Sequence, residues 1–302
     1  MISRKKRIFD VFLFFNELDL LELRFKTLYP IVDYFIVTEL FETFSGTPKK
    51  LLFKKNKKRF EEFSKKIIYN PVSTKQLENL KNKEWEKYIS DFNISLAHKH
   101  NGRPAKNIQS SLKREINHRD SCILGFYNLA SPNDIILLSD LDEIPNPKAI
   151  KEILKKPIKS PYYFKMDWYL YWINNKVSDP WFGTVLFEFK YLKGKSLDNL
   201  RLASSNQDIV PGEIVDNGGW HFSYLGGSEA IRKKLNAHPF QGYKVQIARL
   251  LDKLKIRNIK ATVQKNKDIL FQKRKLYKVN LDDTYPQELL KDPNFIKKFS
   301  CK

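Results

Sequence analysis

The sequence predicts an α/β fold in which a mixed, mostly parallel sheet is flanked by helices. The first observation is that Ile8–Phe15 and Ile135–Leu138 are continuous apolar runs. Runs without alternation are typical of parallel strands that are covered on both faces. The second observation is that Ile8–Phe15 is followed by an amphipathic stretch, Leu20–Leu28, and then by another apolar run, Tyr34–Val37. This order predicts a β-α-β unit at the start of the chain.

The same patterns predict the remaining elements. Helices are predicted at Lys54–Lys66, Ser110–Leu129, Ala149–Leu154, Ser228–Asn236 and Val245–Leu254. Further strands are predicted at Ile67–Tyr69, Tyr162–Phe164, Trp168–Ile173 and Thr184–Tyr191, and Thr43–Pro48 is predicted to be a loop. The polar segment Lys75–Ala105 fits no element, and Asp282–Phe299 is predicted to pack loosely. We therefore expect one α/β domain over residues 1–260 and a basic C-terminal extension over residues 261–302.

The composition narrows the class of protein. The 302 residues include 55 Lys or Arg against 34 Asp or Glu, a net charge of +21. Such an excess attracts nucleic acid, anionic lipid or phosphorylated substrates, unless the lysines are spread over solvated faces. The two cysteines, Cys122 and Cys301, form neither a disulfide framework nor a zinc motif. No run reaches the roughly 18 apolar residues of a spanning helix, and none fits a signal peptide. We therefore expect a cytoplasmic protein that is soluble or peripherally membrane-associated.

The strongest chemical signal follows the apolar run Ile135–Leu138, where Asp140, Asp142 and Glu143 stand close together. Ligands of open α/β sheets gather at the carboxyl ends of strands. Carboxylates this close repel one another, and a divalent cation offsets the repulsion. Oxygen ligands favour Mg²⁺ or Mn²⁺, and a histidine ligand favours Mn²⁺. On spacing alone, an acidic turn without a metal is an equally good interpretation.

Other polar residues have both a functional and a structural interpretation. Asn16 and Glu17 follow the first strand, where they could contact a ligand. Alternatively, Asp19 or Asn16 could cap the helix that begins at Leu20. Arg119 could contact a diphosphate or remain solvated on a helix face. His221 could ligate a metal or make a structural hydrogen bond. The aromatic run that begins at Asp167 could stack on a ligand or pack within the sheet.

Three separated blocks of the sequence resemble one enzyme family. The first block is DVFLFFNELDLLELR at Asp10–Arg24, followed by VDYFIVTE at Val32–Glu39 and TFSG at Thr43–Gly46. The others are SDLDEIP at Ser139–Pro145 and GGWHFSYLGGSEAIRKK at Gly218–Lys234. In this order, over roughly residues 8–240, they resemble glycosyltransferase family 17, whose animal members resemble β-1,4-mannosyl-glycoprotein 4-β-N-acetylglucosaminyltransferases. The resemblance implies a GT-A fold, a UDP-sugar donor and an inverting displacement.

The resemblance also implies roles for individual residues. Asp142 would bind the metal, Asp140 would bind the metal or the ribose, and His221 would be a second metal ligand. The residues expected at the nucleotide sugar are Phe15, Asn16, Glu17, Glu39, Arg119 and Asp140. The base that takes the proton of the acceptor hydroxyl is expected to be Glu229, with Asp167 and Asp216 as alternatives.

The expected function is transfer of N-acetylglucosamine from UDP-GlcNAc to a glycan or glycoconjugate hydroxyl, with Mn²⁺ or Mg²⁺. The expected partners are the donor, the acceptor and an anionic membrane surface, but not nucleic acid. The alternative is a basic protein that binds nucleic acid or anionic membrane without catalysis, through clusters such as Arg232-Lys233-Lys234 and Lys273-Arg274-Lys275. A third interpretation, a nucleotidyltransferase, needs a glycine loop that Asn16-Glu17-Leu18-Asp19 does not contain.

Overall fold

The structure, a computed structural model, describes residues 5–73, 75–76, 110–237, 250–251, 259–264, 269 and 274–301. Its strands are β1 Ile8–Phe14, β2 Tyr34–Leu40, β3 Ile67–Val72, β4 Ile135–Asp140, β5 Glu143–Pro145, β6 Tyr162–Leu170, β7 Asn175–Val177, β8 Trp181–Glu188, β9 Glu213–Val215, β10 Gly219–Ser223 and β11 Leu276–Lys278. Its α-helices are α1 Leu18–Leu28, α2 Leu52–Lys55, α3 Ser110–Asp120, α4 Pro147–Ile153, α5 Leu197–Ala203, α6 Gly227–Ala237, α7 Ile259–Gln264, α8 Gln287–Leu290 and α9 Pro293–Phe299. Segments of 3₁₀-helix are Lys57–Lys66, Ser121–Gly125 and Phe189–Leu192.

The strands form one mixed sheet, which confirms the predicted α/β class. Its main path runs β11-β7-β6-β8-β4-β1-β2-β3. β1 is central and pairs in parallel with β2 and β4, while β3 continues the parallel part beside β2. β8 joins β4 to β6 by antiparallel pairing. β10 lies parallel to β6 and antiparallel to β5, and so joins the main sheet to the segment after β4.

Apolar side chains of β1 pack on both faces of the sheet, as the unbroken apolar run predicts. Phe12 and Phe14 join a cluster with Phe25 of α1 on one face. Phe9 and Val11 join a cluster with Phe126 on the other face. Asp10 is fully buried within the same strand. A buried carboxylate needs a charged partner, and Arg24 of α1 supplies it.

Several predicted boundaries are wrong for identifiable reasons. The helix predicted at Ser110–Leu129 ends at Asp120 and continues as the 3₁₀ segment Ser121–Gly125. The strands predicted at Tyr162–Phe164 and Trp168–Ile173 are one strand, β6, because it pairs with β8, β9 and β10 along its length. The segments Lys75–Ala105 and Val245–Leu254 lie mostly outside the described residues.

The C-terminal segment is packed rather than loose. Tyr285, Leu289, Phe295 and Phe299 are buried in one cluster with Leu20, Leu23, Ile144 and Trp220. β11 also adds to the sheet beside β7. The sequence prediction was wrong here because the lysines between these apolar residues hide their periodicity. The proposed domain boundary at residue 260 stays a prediction. In the described part of the chain, no helix is both long enough and apolar enough to cross a membrane.

Candidate functional site

Strand pairing brings the three sequence blocks to one edge of the sheet. In the β1–β4 pair, Leu13 lies beside Asp140. The chain after β1 therefore leaves the sheet next to residues 140–143, here called the acidic turn. In the β5–β10 pair, Glu143 lies beside His221. The backbone amide of Phe222 also donates to the carbonyl oxygen of Asp142 at 2.8 Å. The acidic turn therefore lies between the end of β1 and β10.

A fully buried arginine holds the acidic turn in shape. Arg24 donates to both carboxylate oxygens of Asp10, at 2.6 and 2.8 Å. Its Nη1 also donates to the carbonyl oxygens of Asp140, Leu141 and Glu143, at 3.1, 3.2 and 2.8 Å. Charged groups buried in this way are stable when hydrogen bonds satisfy their donors and acceptors. A side chain of α1 therefore fixes the backbone of the acidic turn.

Asp140 is half-exposed and faces two arginines. Its carboxylate lies 3.3 Å from Arg119 Nη2 and 3.5 Å from Arg201 Nη2. Burial opposes ionisation here, but the two guanidinium groups hold the pKa of Asp140 below its usual value. Its backbone amide donates to Glu143 Oε2 at 2.9 Å. Asp140 is therefore a carboxylate that is ionised and held in place.

Asp142 is buried beside a lysine and a histidine. Lys234 of α6 donates to Asp142 Oδ2 at 2.5 Å, and His221 Nε2 lies 3.7 Å from Asp142 Oδ1. Burial alone would raise the pKa of Asp142, but the nearby ammonium of Lys234 and imidazole of His221 hold it far below its usual value. Glu17, directly before α1, lies 3.5 Å from the same ammonium. Lys234 thus joins Asp142 to the end of the first block.

His221 packs against two tryptophan rings, Trp168 and Trp181, whose centres are 5.0 Å apart. Its ring centre lies 5.9 Å from Trp168 and 4.4 Å from Trp181. Trp181 donates through Nε1 to Glu143 Oε1 at 2.6 Å. His221 Nδ1 and Trp168 Nε1 are buried, and neither has a hydrogen-bond partner in the described structure. The rings fix the plane of the imidazole, so its Nε2 faces Asp142.

A buried network of charges lies behind Asp140. Arg119 pairs with Asp198 of α5 and lies 3.3 Å from Glu115. Burial raises the pKa of Glu115 to about 7, although Arg119 opposes this shift. Burial and the charge of Asp198 raise the pKa of Asp120 to about 7. Two carboxyl groups behind the site therefore titrate near neutral pH.

The other residues predicted at the nucleotide sugar differ in burial: Phe15 and Asn16 are half-buried, and Glu39 is fully buried. Phe15 and Asn16 follow β1 and are half-buried at the same edge. Glu39 is fully buried at the end of β2 and accepts hydrogen bonds from the amides of Leu52 and Phe53, at 2.5 and 3.1 Å. It also accepts from Lys49 at 3.0 Å and from Tyr69 at 2.9 Å. Four donors of the protein thus engage Glu39, and its contact with a nucleotide stays a prediction.

The three residues predicted as the base lie on three different segments of the chain. Asp167 precedes Trp168 in β6, and successive side chains of a strand point to opposite faces, so it lies across the sheet from the ring that stacks on His221. It pairs with Lys176 at 2.6 Å. Asp216 is 73 % exposed and pairs with Lys165. Glu229 is exposed in the first turn of α6, the helix that carries Lys234. Their catalytic roles stay predictions.

The side chains at the acidic turn fit a divalent cation whose remaining ligands come from the substrate. Among the described residues, no three His, Cys, Asp or Glu side chains are arranged to hold a metal. However, Asp142 Oδ1 and His221 Nε2 are 3.7 Å apart. That is too long for a hydrogen bond, yet two ligands bonded at about 2.1 Å can be up to about 4.2 Å apart. Mg²⁺-type sites use one or two carboxylates together with substrate phosphates. Asp142 and His221, with Asp140 near them, fit this pattern.

Sequence reasoning missed residues that complete the site. Arg201 reaches Asp140 and Glu143 from α5, and Arg24 reaches the turn from α1. Lys234 lies in the third resembling block, but the sequence offered no reason to choose it among 55 Lys and Arg residues. Glu143 stood beside the predicted pair and is fully buried. Three carboxylates at the end of a buried strand need several cations nearby. This requirement predicts that cations lie at the site, but it does not say which Lys or Arg residues they are.

A family model described as glycosyltransferase family 17 matches residues 1–272. No curated protein gives a significant match, and neither does any solved structure. The matched range contains all three blocks and every residue described above at the acidic turn.

Proposed function

Because the chain belongs to glycosyltransferase family 17, whose model matches residues 1–272 of 302, we propose that it transfers N-acetylglucosamine from UDP-GlcNAc to a hydroxyl group of a glycan or glycoconjugate. The chain is a glycosyltransferase, and such an enzyme uses a nucleotide-sugar donor and a glycan acceptor. The identity of the sugar, the uridine nucleotide, inversion at the anomeric carbon and metal dependence are the proposed parts. The contacts of Asp142 with His221 and Lys234, and of Lys234 with Glu17, support metal dependence. The sugar, the nucleotide and inversion are proposed from membership of the family.

Asp142 and His221 would hold Mn²⁺ or Mg²⁺, with Asp140 as a further ligand or as the partner of the ribose. A divalent cation at this position supplies electrostatic stabilisation of the negative charge that develops on the leaving diphosphate. Arg119 and Arg201 keep Asp140 ionised and oriented. Trp168 and Trp181 pack against the imidazole and hold its orientation. Phe15 and Asn16, half-buried after β1, are the proposed contacts of the nucleotide.

Glu229 is the proposed base for the acceptor hydroxyl. It lies at the start of α6, which also brings Lys234 to Asp142. A carboxylate in this role takes the proton as the hydroxyl oxygen attacks the anomeric carbon, a contribution of about 10²–10⁴ in rate. Glu229→Gln is expected to lower kcat by about that factor at unchanged donor affinity. A larger loss in Asp167→Asn or Asp216→Asn would instead assign the base to that residue.

A thermal-shift screen of nucleotide sugars tests the site class. UDP-GlcNAc with Mn²⁺, at about 100 times its Kd, is expected to add about 2.7 kcal/mol and raise Tm by several degrees. Asp142→Asn is expected to abolish this shift, while Asp208→Asn, an exposed residue outside the site, keeps it. No shift with any nucleotide sugar, with or without Mn²⁺, would refute the proposal.

The excess of Lys and Arg favours an anionic acceptor, or an anionic membrane that carries the acceptor. Clusters of Lys and Arg bind acidic lipid surfaces with about 1 kcal/mol for each residue close to the surface. The net charge of +21 supports such contact. Co-sedimentation with vesicles containing phosphatidylserine, lost at high salt, is the expected result. The location in the cell stays a prediction.

A further inference from the structure

The acidic turn already carries a cation, the ammonium group of Lys234. It donates to Asp142 Oδ2 at 2.5 Å and lies 3.5 Å from Glu17 Oε1. It also lies 5.4 Å from the centre of the Tyr224 ring. The Lys234 side chain is 28 % exposed, whereas that of Asp142 is 9 % exposed. The half-buried lysine therefore contacts a carboxylate that is more deeply buried than itself.

The charges at the turn are divided between separate cations. Asp140 faces Arg119 and Arg201, and Glu143 pairs with Arg201. In the described structure, the Lys or Arg side chain that pairs with Asp142 is Lys234. A divalent cation on Asp142 with Lys234 still in place would set three positive charges against the two negative charges of Asp142 and Glu17. Like charges at such distances repel strongly in a partly buried site.

We propose that Lys234 and the divalent cation compete for Asp142, and that the diphosphate of the donor resolves the competition by binding the displaced ammonium. This rests on the proposed function, since it takes Asp142 as a metal ligand. Lysine suits the role because its charge sits on a flexible four-carbon stem with three rotatable donors. The diphosphate gives the ammonium a new anionic partner. Metal and nucleotide therefore raise each other's affinity, and this coupling runs through Lys234.

The test measures Mn²⁺ binding from the electron paramagnetic resonance signal of free Mn²⁺, with and without UDP. In the absence of UDP, Lys234→Met is expected to bind Mn²⁺ about tenfold more tightly than the wild type, because the competing cation is gone. UDP is expected to tighten Mn²⁺ binding in the wild type and to do so much less in Lys234→Met. Lys26→Met is the matched control, since Lys26 also pairs with a carboxylate at 2.6 Å and is 32 % exposed. It is expected to behave as the wild type.

The outcomes separate this proposal from the proposed function. Equal or weaker Mn²⁺ binding by Lys234→Met without UDP, together with loss of binding in Asp142→Asn, would overturn the competition and leave the metal site standing. Unchanged binding in Asp142→Asn with UDP present would overturn both, because the metal would then lie elsewhere. Lys234→Gln is measured in parallel, and circular dichroism establishes that each variant is folded. Tighter binding in both Lys234 variants, but not in Lys26→Met, is the supporting result.

Discussion

Replacing Arg24 by Met is expected to destabilise the protein more than any other exchange of a single charged residue at the sheet edge. The substitution leaves the carboxylate of Asp10 buried without its cation, since both side chains are fully inaccessible. It also removes the donor from three carbonyl oxygens of the acidic turn and from Ser139 Oγ. Methionine fills the space of arginine as far as Nε and has no polar group that could replace these bonds.

The magnitude follows from these contacts. Removing one partner of a buried ion pair costs about 3–5 kcal/mol. Folded domains are stable by about 5–15 kcal/mol, so the variant should unfold at a clearly lower urea concentration. Arg59→Met is the matched control. Arg59 contacts two carboxylates, Asp19 and Glu22, but is 37 % exposed, and loss of surface pairs costs about 0–1 kcal/mol.

A second variant and the pH dependence sharpen the test. Asp10→Leu with Arg24→Met removes the uncompensated charge and should recover about 2 kcal/mol, while the unpaired carbonyl oxygens keep part of the loss. Burial already raises the pKa of Asp10 against the opposing charge of Arg24. In Arg24→Met, the folded-state pKa lies further above the unfolded value, so stability falls as pH rises between the two. The deficit relative to wild type is expected to be about 1 kcal/mol or more smaller at pH 5 than at pH 8.

Urea unfolding followed by tryptophan fluorescence measures these differences. A loss below about 1 kcal/mol in Arg24→Met, equal to that of Arg59→Met, would refute the reasoning. So would a deficit that does not change with pH, because the buried charge of Asp10 would then be compensated elsewhere.

The remaining predictions concern packing, backbone and a buried carboxylate. Phe295→Ala is expected to lose about 3–5 kcal/mol in urea unfolding, and Phe41→Ala, 45 % exposed, far less; equal losses would contradict the packed C-terminal segment. Gly219→Ala is expected to lower Tm more than Gly194→Ala, because a Cβ at Gly219 would lie 2.2 Å from a carbonyl oxygen and one at Gly194 meets nothing within 4 Å, although both have positive φ. Glu39→Gln is expected to lose about 1.5–3 kcal/mol in urea, since an amide cannot accept from all four donors; unchanged stability with weaker UDP binding would favour its role at the nucleotide instead.

The fold could be predicted where the hydrophobic pattern is unambiguous. β1, α1 and β2 follow from an apolar run, a helical period and a second apolar run, and the structure confirms this unit. β6 could not be predicted as one strand, because its partners β8, β9 and β10 lie later in the chain. The C-terminal segment could not be predicted as packed, because its lysines hide the apolar periodicity and because its packing partners are distant in sequence. Its apolar residues are buried by contacts with residues such as Leu20 and Trp220, which are distant in sequence.

The acidic part of the site could be predicted, but of the cations around it only Arg119 was a candidate from the sequence. Asp140 and Asp142 stand directly after an apolar run, which is a local signal. Their cations come from α1, α3, α5 and α6, and nothing in the sequence pairs them with the turn. Trp168 stacks on His221, so strand alternation places Asp167 on the opposite face of the sheet. The sequence alone could not predict this, because the stacking depends on tertiary contacts.

The cluster that joins Tyr285, Leu289, Phe295 and Phe299 to Leu20 and Leu23 has a consequence for synthesis on the ribosome. The first helix emerges roughly 270 residues before its last partners. At about 5–20 residues per second, the outer side of that helix stays uncovered for tens of seconds. During this interval, Leu20 and Leu23 present an apolar surface to which a chaperone such as a holdase can bind. Expression at a lower temperature or with added chaperones is therefore expected to raise the soluble yield, and an exchange of Leu20 for a polar residue would remove both the exposed surface and the final packing.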